Sequence, residues 1–402
     1  MAGKQNDELK ERIREAAKSL REEVTGWRHH LHRNPELSNR ETGTAAYIAE
    51  RLEEAGIEAQ KGVGGTGVVG LIEATDPDGK VIALRADMDA LPIREENDIP
   101  YKSENEGVMH ACGHDVHMAV LLGAARIIND MKDRLKGRVK LIFQPSEETY
   151  PGGAQAMIKD GVLENPVPDI IIGEHVYPEL DAGKIGLRAG KYMASTDEIF
   201  ITVNGRGGHG AIPDRNIDPV VIAANIIVAL QQIVSRNAKP SNPSVLSIGR
   251  VIADGRTNII PDKVEMEGII RTFDEDWRLE MREKIRKIAS SIAEGLGGSC
   301  EVTINPGYPY LENDKKVTKK VEELASDYLG EENVVELEPR MTAEDFAYYL
   351  HHVPGCFYRL GIRSERTGIT SSLHTPTFNV DESSLETGVG LMAWLVVSQL
   401  IE

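Results

Sequence analysis

Five short segments of this chain carry side chains that bind metals or move protons. Three of them follow directly on apolar runs. Val81 to Leu84 leads into Arg85-Ala86-Asp87-Met88-Asp89, Val139 to Phe143 into Gln144-Pro145-Ser146-Glu147-Glu148, and Ile170 to Gly173 into Glu174-His175. A fourth, His110-Ala111-Cys112-Gly113-His114-Asp115-Val116-His117, stands just before a long apolar stretch, and Ser372-Leu373-His374-Thr375-Pro376 lies near the C-terminus. Imidazole, carboxylate and thiolate together suit zinc or a similar first-row metal. Cys112 and His114 are two apart in a glycine-containing turn, so both can face inward. Glu147 and Glu148 are adjacent after a strand, so their side chains diverge. One can ligate while the other faces a water. That division of labour fits metal-assisted hydrolysis, in which metals acidify a water and a neighbouring carboxylate takes its proton. Each piece alone has a blander reading: a satisfied structural histidine, a solvated glutamate pair, a buried small thiol. Their joint occurrence at successive strand ends is what argues for a metal site.

The elements between these segments explain how they could meet. Leu9 to about Leu31 has helical apolar spacing, ended by Asn34-Pro35, and Thr42 to Ala55 reads as a second helix. Val68–Ala74, Val81–Leu84, Val139–Phe143 and Ile170–Gly173 read as strands. Asp115–Met131 is a strongly apolar helix and Ala154–Lys159 a short one. Strands alternating with helices predict an α/β layered domain, whose ligands bind beyond the carboxyl ends of the strands. From about Gly190 the pattern changes. Strands are expected over Glu198–Val203, Ser244–Ile252, Val264–Thr272 and Ser299–Ile304, with helices over Pro219–Ser235 and Asp276–Leu296. This β-α-β-β-α-β order is the ferredoxin-like one. Helices over Lys315–Leu329, Thr342–Leu350 and Leu385–Ile401, with a strand over Cys356–Gly361, complete the chain. The organisation expected is a catalytic domain over residues 1–189 and 306–402 with residues 190–305 inserted.

Composition narrows the function. Lys and Arg number 46 against 64 Asp and Glu, a formal net charge of -18, which disfavours nucleic acid and anionic membrane as partners. No uninterrupted apolar run reaches the roughly 20 residues of a membrane span, and Met1 to Lys18 lacks the apolar stretch of a signal peptide. The three cysteines, Cys112, Cys300 and Cys356, are odd in number and far apart, which is no disulfide framework. These features read as a cytoplasmic protein.

At the residues above, the chain resembles the aminoacylase and carboxypeptidase-like zinc hydrolases. It looks closest to the branch of indole-acetyl-amino acid hydrolases, hippurate hydrolases and N-acyl-amino acid amidohydrolases. The matching segments run in order over nearly the whole chain. They are Arg85 to Pro92, His110 to His117, Gln144 to Glu148, Gly173 to Val176, Gly207 to Pro213, Thr257 to Asp262, Arg271 to Phe273, Glu344 to Phe346 and Leu373 to Pro376. The resemblance implies a layered α/β zinc-hydrolase catalytic domain with an inserted ferredoxin-like lid and dimerisation domain. It implies hydrolysis of the amide of an N-acyl-amino acid, or a related conjugate, to a carboxylic acid and a free amino acid. Two divalent metals per subunit, zinc first with manganese, cobalt or nickel as substitutes, would be held by Cys112, His114, Glu148, His175 and His374. The Cys112 thiolate would take the bridging position that many relatives fill with aspartate. Glu147 would be the general base and later the proton donor to the leaving amine, and Asp89 would orient a ligand histidine from behind. His209 would reach a partner subunit's active site in a homodimer and polarise the scissile carbonyl. Asn258 and Arg271 would hold the substrate carboxylate.

The chain also departs from its relatives. Asp87 stands where relatives with an all-oxygen bridge carry a metal-binding histidine, so it is kept out of the ligand set. Pro213 is followed by Asp214 rather than histidine. Glu174 replaces an apolar residue before the ligand histidine, an extra carboxylate that would bear on metal preference or substrate charge. Three alternatives accompany the main reading: dipeptidase or carboxypeptidase activity on peptides, a thiol hydrolase with Cys112 as nucleophile, and a non-catalytic metal-binding scaffold. Gly62 to Gly67 matches GxGxxG, but a strand rather than a helix is expected after it, so it reads as a glycine turn. His29, His30 and His32, and His351 and His352, read as solvent-facing or packing residues. His117 reads as a support for the site or as core.

Overall fold

The computed structural model describes residues 2–401, and in it the apolar runs of the first part of the chain become strands of one eight-stranded sheet. The strand order is Ala59–Val63, Gly67–Glu73, Lys136–Gln144, Asp76–Asp87, Ile170–Asp181, Gly355–Arg363, Ile185–Leu187 and Val334–Glu336. The four interior strands from Lys136–Gln144 to Gly355–Arg363 are mutually parallel. Interior parallel strands are covered on both faces, which is why Val81–Leu84, Leu141–Phe143 and Ile170–Ile172 are apolar without alternation and buried. The helix His114–Asp130 packs against the closing helix Ser383–Leu400 and is buried through almost its whole length. The two approach closely at Gly123, where an added Cβ would lie 2.7 Å from Val389 Cγ2.

The chain divides into two compact units. One runs to Gly190 and resumes over Glu312–Glu338 and from Asp345; the other comprises Lys191–Leu311 and Pro339–Glu344. The second unit has its own four-stranded sheet in the order Ser244–Ile252, Lys263–Thr272, Asp197–Asn204 and Ser299–Pro306, antiparallel throughout. Its helices Pro219–Gln232 and Glu275–Gly295 begin at aspartate caps. Asp218 accepts from the N–H of Val220 at 2.8 Å and Asp274 from that of Trp277 at 2.9 Å, with Pro219 at the first helical position. Ile199, Ile201, Val203, Ile222, Ile226, Met266 and Ile285 form its separate core.

Several expectations need revision. The Leu9–Leu31 stretch is two helices, Ala2–Ser19 and Arg21–Arg33, which meet at Leu20. The apolar stripe nevertheless continues across the break through Leu9, Ile13, Ala17, Val24 and Leu31. The helix expected over Thr342–Leu350 is confined to Ala347–Leu350. The Thr342 carbonyl is taken by the Ala194 N–H, and the Asp345 side chain by Arg85 and Gln144, so the preceding turn cannot wind. Pro219–Asn237 is a 19-residue helical stretch of mean hydropathy 1.5, long and apolar enough to cross a bilayer by length and composition. Ile222, Ile226, Leu230 and Ile233 are its buried side, set in the second unit's core. Gly62–Gly67 joins the strands Ala59–Val63 and Gly67–Glu73, and no helix opens there.

Candidate metal centre

All five residues expected to hold metal lie in the first unit: Glu148 and His175 on or just beyond parallel strands, Cys112 and His114 at the start of the buried helix, and His374 in the loop before the closing helix. Gly113 has φ 87°, and a Cβ there would meet Val176 Cγ2 at 2.5 Å. Only glycine fits this left-handed turn, and the turn lets Cys112 and His114 face the same space. His175 extends from the strand Ile170–Asp181. His374 has φ 59° and is pinned by its own N–H donating to the Ala111 carbonyl at 2.8 Å.

The donor atoms converge. Cys112 Sγ lies 3.3 Å from His175 Nε2 and 3.3 Å from His374 Nε2. Glu148 Oε1 lies 3.4 Å from His374 Nε2 and 3.9 Å from His114 Nε2. Three overlapping groups result, each with its donor atoms within 4.8 Å of one another: Cys112–His114–His175, Cys112–Glu148–His374 and His114–Glu147–Glu148. Cys112, His114 and Glu148 each belong to two of them.

Backbone carbonyls set the histidine tautomers. His114 Nδ1–H donates to the Asp89 carbonyl at 2.7 Å, and His175 Nδ1–H donates to the Val176 carbonyl at 2.8 Å. Each therefore turns Nε2 to the centre, the orientation a metal-ligating histidine needs. His114 Nε2 and Glu148 Oε1 are buried and have no hydrogen-bond partner, a costly condition that a cation between them would relieve.

The electrostatics point the same way. Burial alone would depress His114, but Asp87 and Asp89 raise it to about 10, so the negative groups there demand a positive charge. Burial first, and then Glu148 and Glu147, push the Cys112 thiol well above its ordinary value. A thiol so placed stays protonated unless a cation stabilises the thiolate, which weighs against Cys112 as a free nucleophile. Burial, and next Arg359, hold His175 well below the usual histidine value.

Asp89 links these parts. Its Oδ1 accepts the Glu147 N–H at 2.9 Å and its Oδ2 accepts the Glu148 N–H at 2.9 Å and the Ser38 hydroxyl at 2.7 Å. Glu147 is buried, and its Oε1 accepts the Asp345 N–H at 3.4 Å. Asp87 is occupied on both oxygens, by His117 Nδ1 at 2.5 Å and by Arg85 Nη1 at 2.6 Å. Burial opposes its ionisation, but Arg85, His114 and His117 hold it well below the usual carboxylate range. His117 Nε2 accepts the Val176 N–H at 2.9 Å, so both ring nitrogens of His117 are used in supporting the site. Glu174 is wholly buried and held by a tyrosine. Tyr358 donates to it at 2.8 Å, and burial pushes its carboxyl up to about 8.

Three further residues named from sequence lie in the second unit. His209 is exposed in the two-residue strand Gly208–His209, which pairs with Ile259–Ile260, and the Gly210 N–H donates to the Asn258 carbonyl at 2.9 Å. The loop thus brings His209 and Asn258 side by side. The Ala211 N–H donates to His209 Nδ1 at 3.1 Å, which leaves the imidazole proton on Nε2. Arg271 is half-buried on the strand Lys263–Thr272, and its Nη1 is buried without a partner.

A set of supporting residues escaped the sequence reading. Arg28 and His32 are wholly buried and hold Asp115, at 3.0 and 2.9 Å; His32 also meets Glu95 at 3.2 Å. His32 is therefore a buried brace behind the metal turn, whereas His30, His351 and His352 are exposed. The spacing of Arg28 and His32, four apart on one helix face, was the available signal. Gln144 and Asp345 lie in motifs that were noticed, yet their mutual hydrogen bonds at 2.8 Å could not be read from either alone.

A buried thiol, imidazoles and carboxylates gathered at the strand ends of a mixed α/β unit define a hydrolase with a metal centre. The chain belongs to peptidase family M20/M25/M40, whose family model matches residues 83–398. It is 41% identical over 393 residues to thermostable carboxypeptidase 2 of Saccharolobus solfataricus, covering 97% of this chain and 98% of that one. It is 41% identical over 307 residues to the N-acyl-L-amino acid amidohydrolase of Geobacillus stearothermophilus, covering 76% and 82%. The crystal structure of the Bacillus subtilis YXEP protein, described as a dinuclear metal binding peptidase, superposes with a TM-score of 0.81 at 37% identity, covering 95% of this chain and 99% of that one.

Proposed function

We propose that this protein hydrolyses the amide bond of N-acyl-amino acids, releasing a carboxylic acid and a free amino acid. The observation that carries the proposal is the convergence of Cys112, His114, Glu148, His175 and His374 on one space with Glu147 beside it. The two overlapping triads that share Cys112 support a pair of divalent ions that Cys112, His114, Glu148, His175 and His374 would hold, with zinc first among the candidates and manganese, cobalt or nickel as substitutes. Bound there, the ions would acidify a water and polarise the scissile carbonyl. Glu147 takes the proton of the attacking water and returns it to the leaving amine. Asp89 holds the backbones of Glu147 and Glu148 and fixes His114 through its carbonyl. Its position on three of the site's residues supports this role.

In this scheme His209, Asn258 and Arg271 would supply the substrate contacts, His209 to the active site of a partner subunit. The Nε2–H of His209 is the donor needed to polarise an amide carbonyl. The unpartnered guanidinium nitrogen of Arg271 suits a substrate carboxylate, with Asn258 beside it. The homologue named as an amidohydrolase supports an N-acyl-amino acid as substrate. The one named as a carboxypeptidase supports a second substrate class, peptides cleaved at the C-terminal residue. Both carry the free carboxylate that Arg271 would bind.

The inserted unit, taken as residues 190–305 from sequence, would act as lid and homodimer surface. Val220, Val221 and Val228 on its helix Pro219–Gln232 are 40%, 54% and 70% exposed, and Val251 on the edge strand Ser244–Ile252 is 51% exposed. An apolar helix face beside an open strand edge favours burial against a second copy. Three unpaired cysteines suit a reducing cytoplasm.

The deciding experiment uses purified protein of known metal content. N-acetyl-, N-benzoyl- and indole-acetyl-amino acids and dipeptides are assayed as purified, after chelation, and after return of zinc, manganese, cobalt or nickel. Hydrolysis that chelation abolishes and metal restores is expected. Activity indifferent to chelation would overturn the metal mechanism in favour of Cys112, and metal-loaded protein inert on every substrate would favour a binding scaffold.

A further inference from the structure

The turn that presents Glu147 and Glu148 contains an unusual backbone. Ser146 has φ 56°, a left-handed conformation that non-glycine residues seldom adopt, and it is buried. Its N–H donates to Glu41 Oε1 at 2.8 Å and its hydroxyl lies 3.1 Å from the same oxygen. Ser146 Oγ accepts the Asn39 N–H at 2.8 Å, and its carbonyl accepts the Gly153 N–H at 3.0 Å.

Glu41 is wholly buried at the head of the helix Thr42–Glu54, yet its side chain does not cap that helix. The capping is done by Glu36, which accepts the N–H groups of Gly43 and Thr44 at 3.1 and 2.8 Å. The Glu41 carboxylate is turned instead onto Ser146, with its other oxygen accepting the Thr66 hydroxyl at 2.7 Å. Three residues earlier, Ser38 donates to Asp89, and the Thr149 hydroxyl donates to Ser38 at 3.0 Å. The short stretch from Ser38 to Glu41 therefore grips residues 146–149 at both ends of the turn.

We propose that Glu41 is a positioning residue for the hydrolytic reaction, holding Ser146 left-handed so that Glu147 faces the reacting water while Glu148 faces the metal. The inference rests on the reading of Glu147 as the base. Rotation about the Ser146 backbone swings the Cα–Cβ bonds of both following glutamates together. A relaxed Ser146 would therefore displace base and ligand at once. Glu41 is bonded to the turn and not to the donor atoms of the centre, so its effect passes through Ser146.

The test compares Glu41→Ala, Glu41→Gln and the double variant Glu41→Ala/Ser146→Gly with Glu147→Ala and the unmodified protein. Metal content, kcat, KM and the pH profile of kcat are measured on each. Glu41→Ala should lose about 10- to 100-fold in kcat, the scale of a small misplacement of a reacting group, with KM nearly unchanged. Glu41→Gln keeps an acceptor for the Ser146 N–H and should recover most of the loss. Ser146→Gly adopts the left-handed turn unaided, so in the Glu41→Ala background it should restore kcat. An unchanged kcat in Glu41→Ala, or a loss in folded, metal-loaded protein that Ser146→Gly does not relieve, would overturn the inference. Should Glu41→Ala not fold, Glu41→Asp, which withdraws the carboxylate by one methylene, takes its place with the same two criteria. Glu147→Ala separates the levels. Normal turnover there removes the base reading itself, whereas an inert, metal-loaded Glu147→Ala beside a fully active Glu41→Ala removes only the positioning role.

Discussion

The Asp89 carboxylate accepts the backbone N–H of Glu147 at 2.9 Å, although 58 residues separate them in the chain. The contact follows from strand pairing. Asp76–Asp87 and Lys136–Gln144 are parallel neighbours with Asp87 opposite Gln144, so the residues just beyond each strand leave the sheet together. The same carboxylate accepts the Glu148 N–H, and the Asp89 carbonyl accepts His114 Nδ1–H. One residue thus couples the proposed base to two proposed ligands.

Replacing Glu147 by alanine should leave the metal in place and remove turnover. General base catalysis typically contributes about 10²- to 10⁴-fold, and a loss at or above the top of that range is expected. Metal analysis of the purified variant beside its kcat is the check. Near-normal turnover with metal bound would assign the proton transfer to another group.

Asp89→Ala should weaken metal binding and stability together. It strands two buried N–H groups, each at a cost of about 1–3 kcal/mol, and loosens the support behind Glu148. Loss of such supporting contacts typically lowers metal affinity by about 10- to 100-fold. Competition against a chelator of known affinity measures this, and unaltered affinity would mean that the ligands hold their positions without Asp89.

Arg271→Ala should raise KM for substrates with a free carboxylate, by about tenfold or more for a lost charge-assisted contact. The control is the same substrate as its carboxamide, where wild type and variant should behave alike. Equal effects on both would remove Arg271 from carboxylate recognition.

Stability should depend on pH through Arg28, His32, Glu95 and Asp115. Burial opposes ionisation of Asp115, but Arg28 and His32 hold its carboxyl well below the ordinary value. Its contribution is therefore present above the unfolded carboxylate pKa of about 4 and is lost as pH falls below it. Burial also opposes protonation of His32, yet Asp115 and Glu95 raise it. Its contribution is complete below the unfolded value of about 6.5 and fades as pH rises through the folded one. The network should stabilise most between these limits. Asp115→Asn removes the carboxylate and should cost about 3–5 kcal/mol there, the scale for breaking a buried ion pair. Thermal unfolding from pH 3 to 9 would show a gap between wild type and variant that narrows at the acidic end. A gap independent of pH would assign the loss to packing.

Strand and helix identities were legible because their apolar periodicity is strong. Asp115–Met131 and Lys315–Leu329 were read to within a residue of the observed helices, as was the strand Ser244–Ile252. The short helix after Glu344 was misjudged because its preceding turn has the composition of a helix while its polar groups are engaged by distant residues. Likewise Arg85-Ala86-Asp87-Met88-Asp89 announced two carboxylates without saying which was free to act. Arg85 and His117 occupy both oxygens of Asp87, whereas Asp89 reaches the backbone of Glu147 and Glu148.

The sequence by itself determined the chemistry on offer: a thiol, imidazoles and carboxylates placed after apolar strands and before a buried helix. Those residue types and spacings are local, and local patterns persist in any arrangement of the elements. The three-dimensional arrangement alone sets Cys112 within 3.3 Å of both His175 and His374, turns His114 Nε2 inward, buries Glu174 against Tyr358 and lets Glu41 grip Ser146. Each of these is a contact between segments far apart in the chain. Such contacts are set by strand order, register and the desolvation of the site, which no single stretch of sequence encodes.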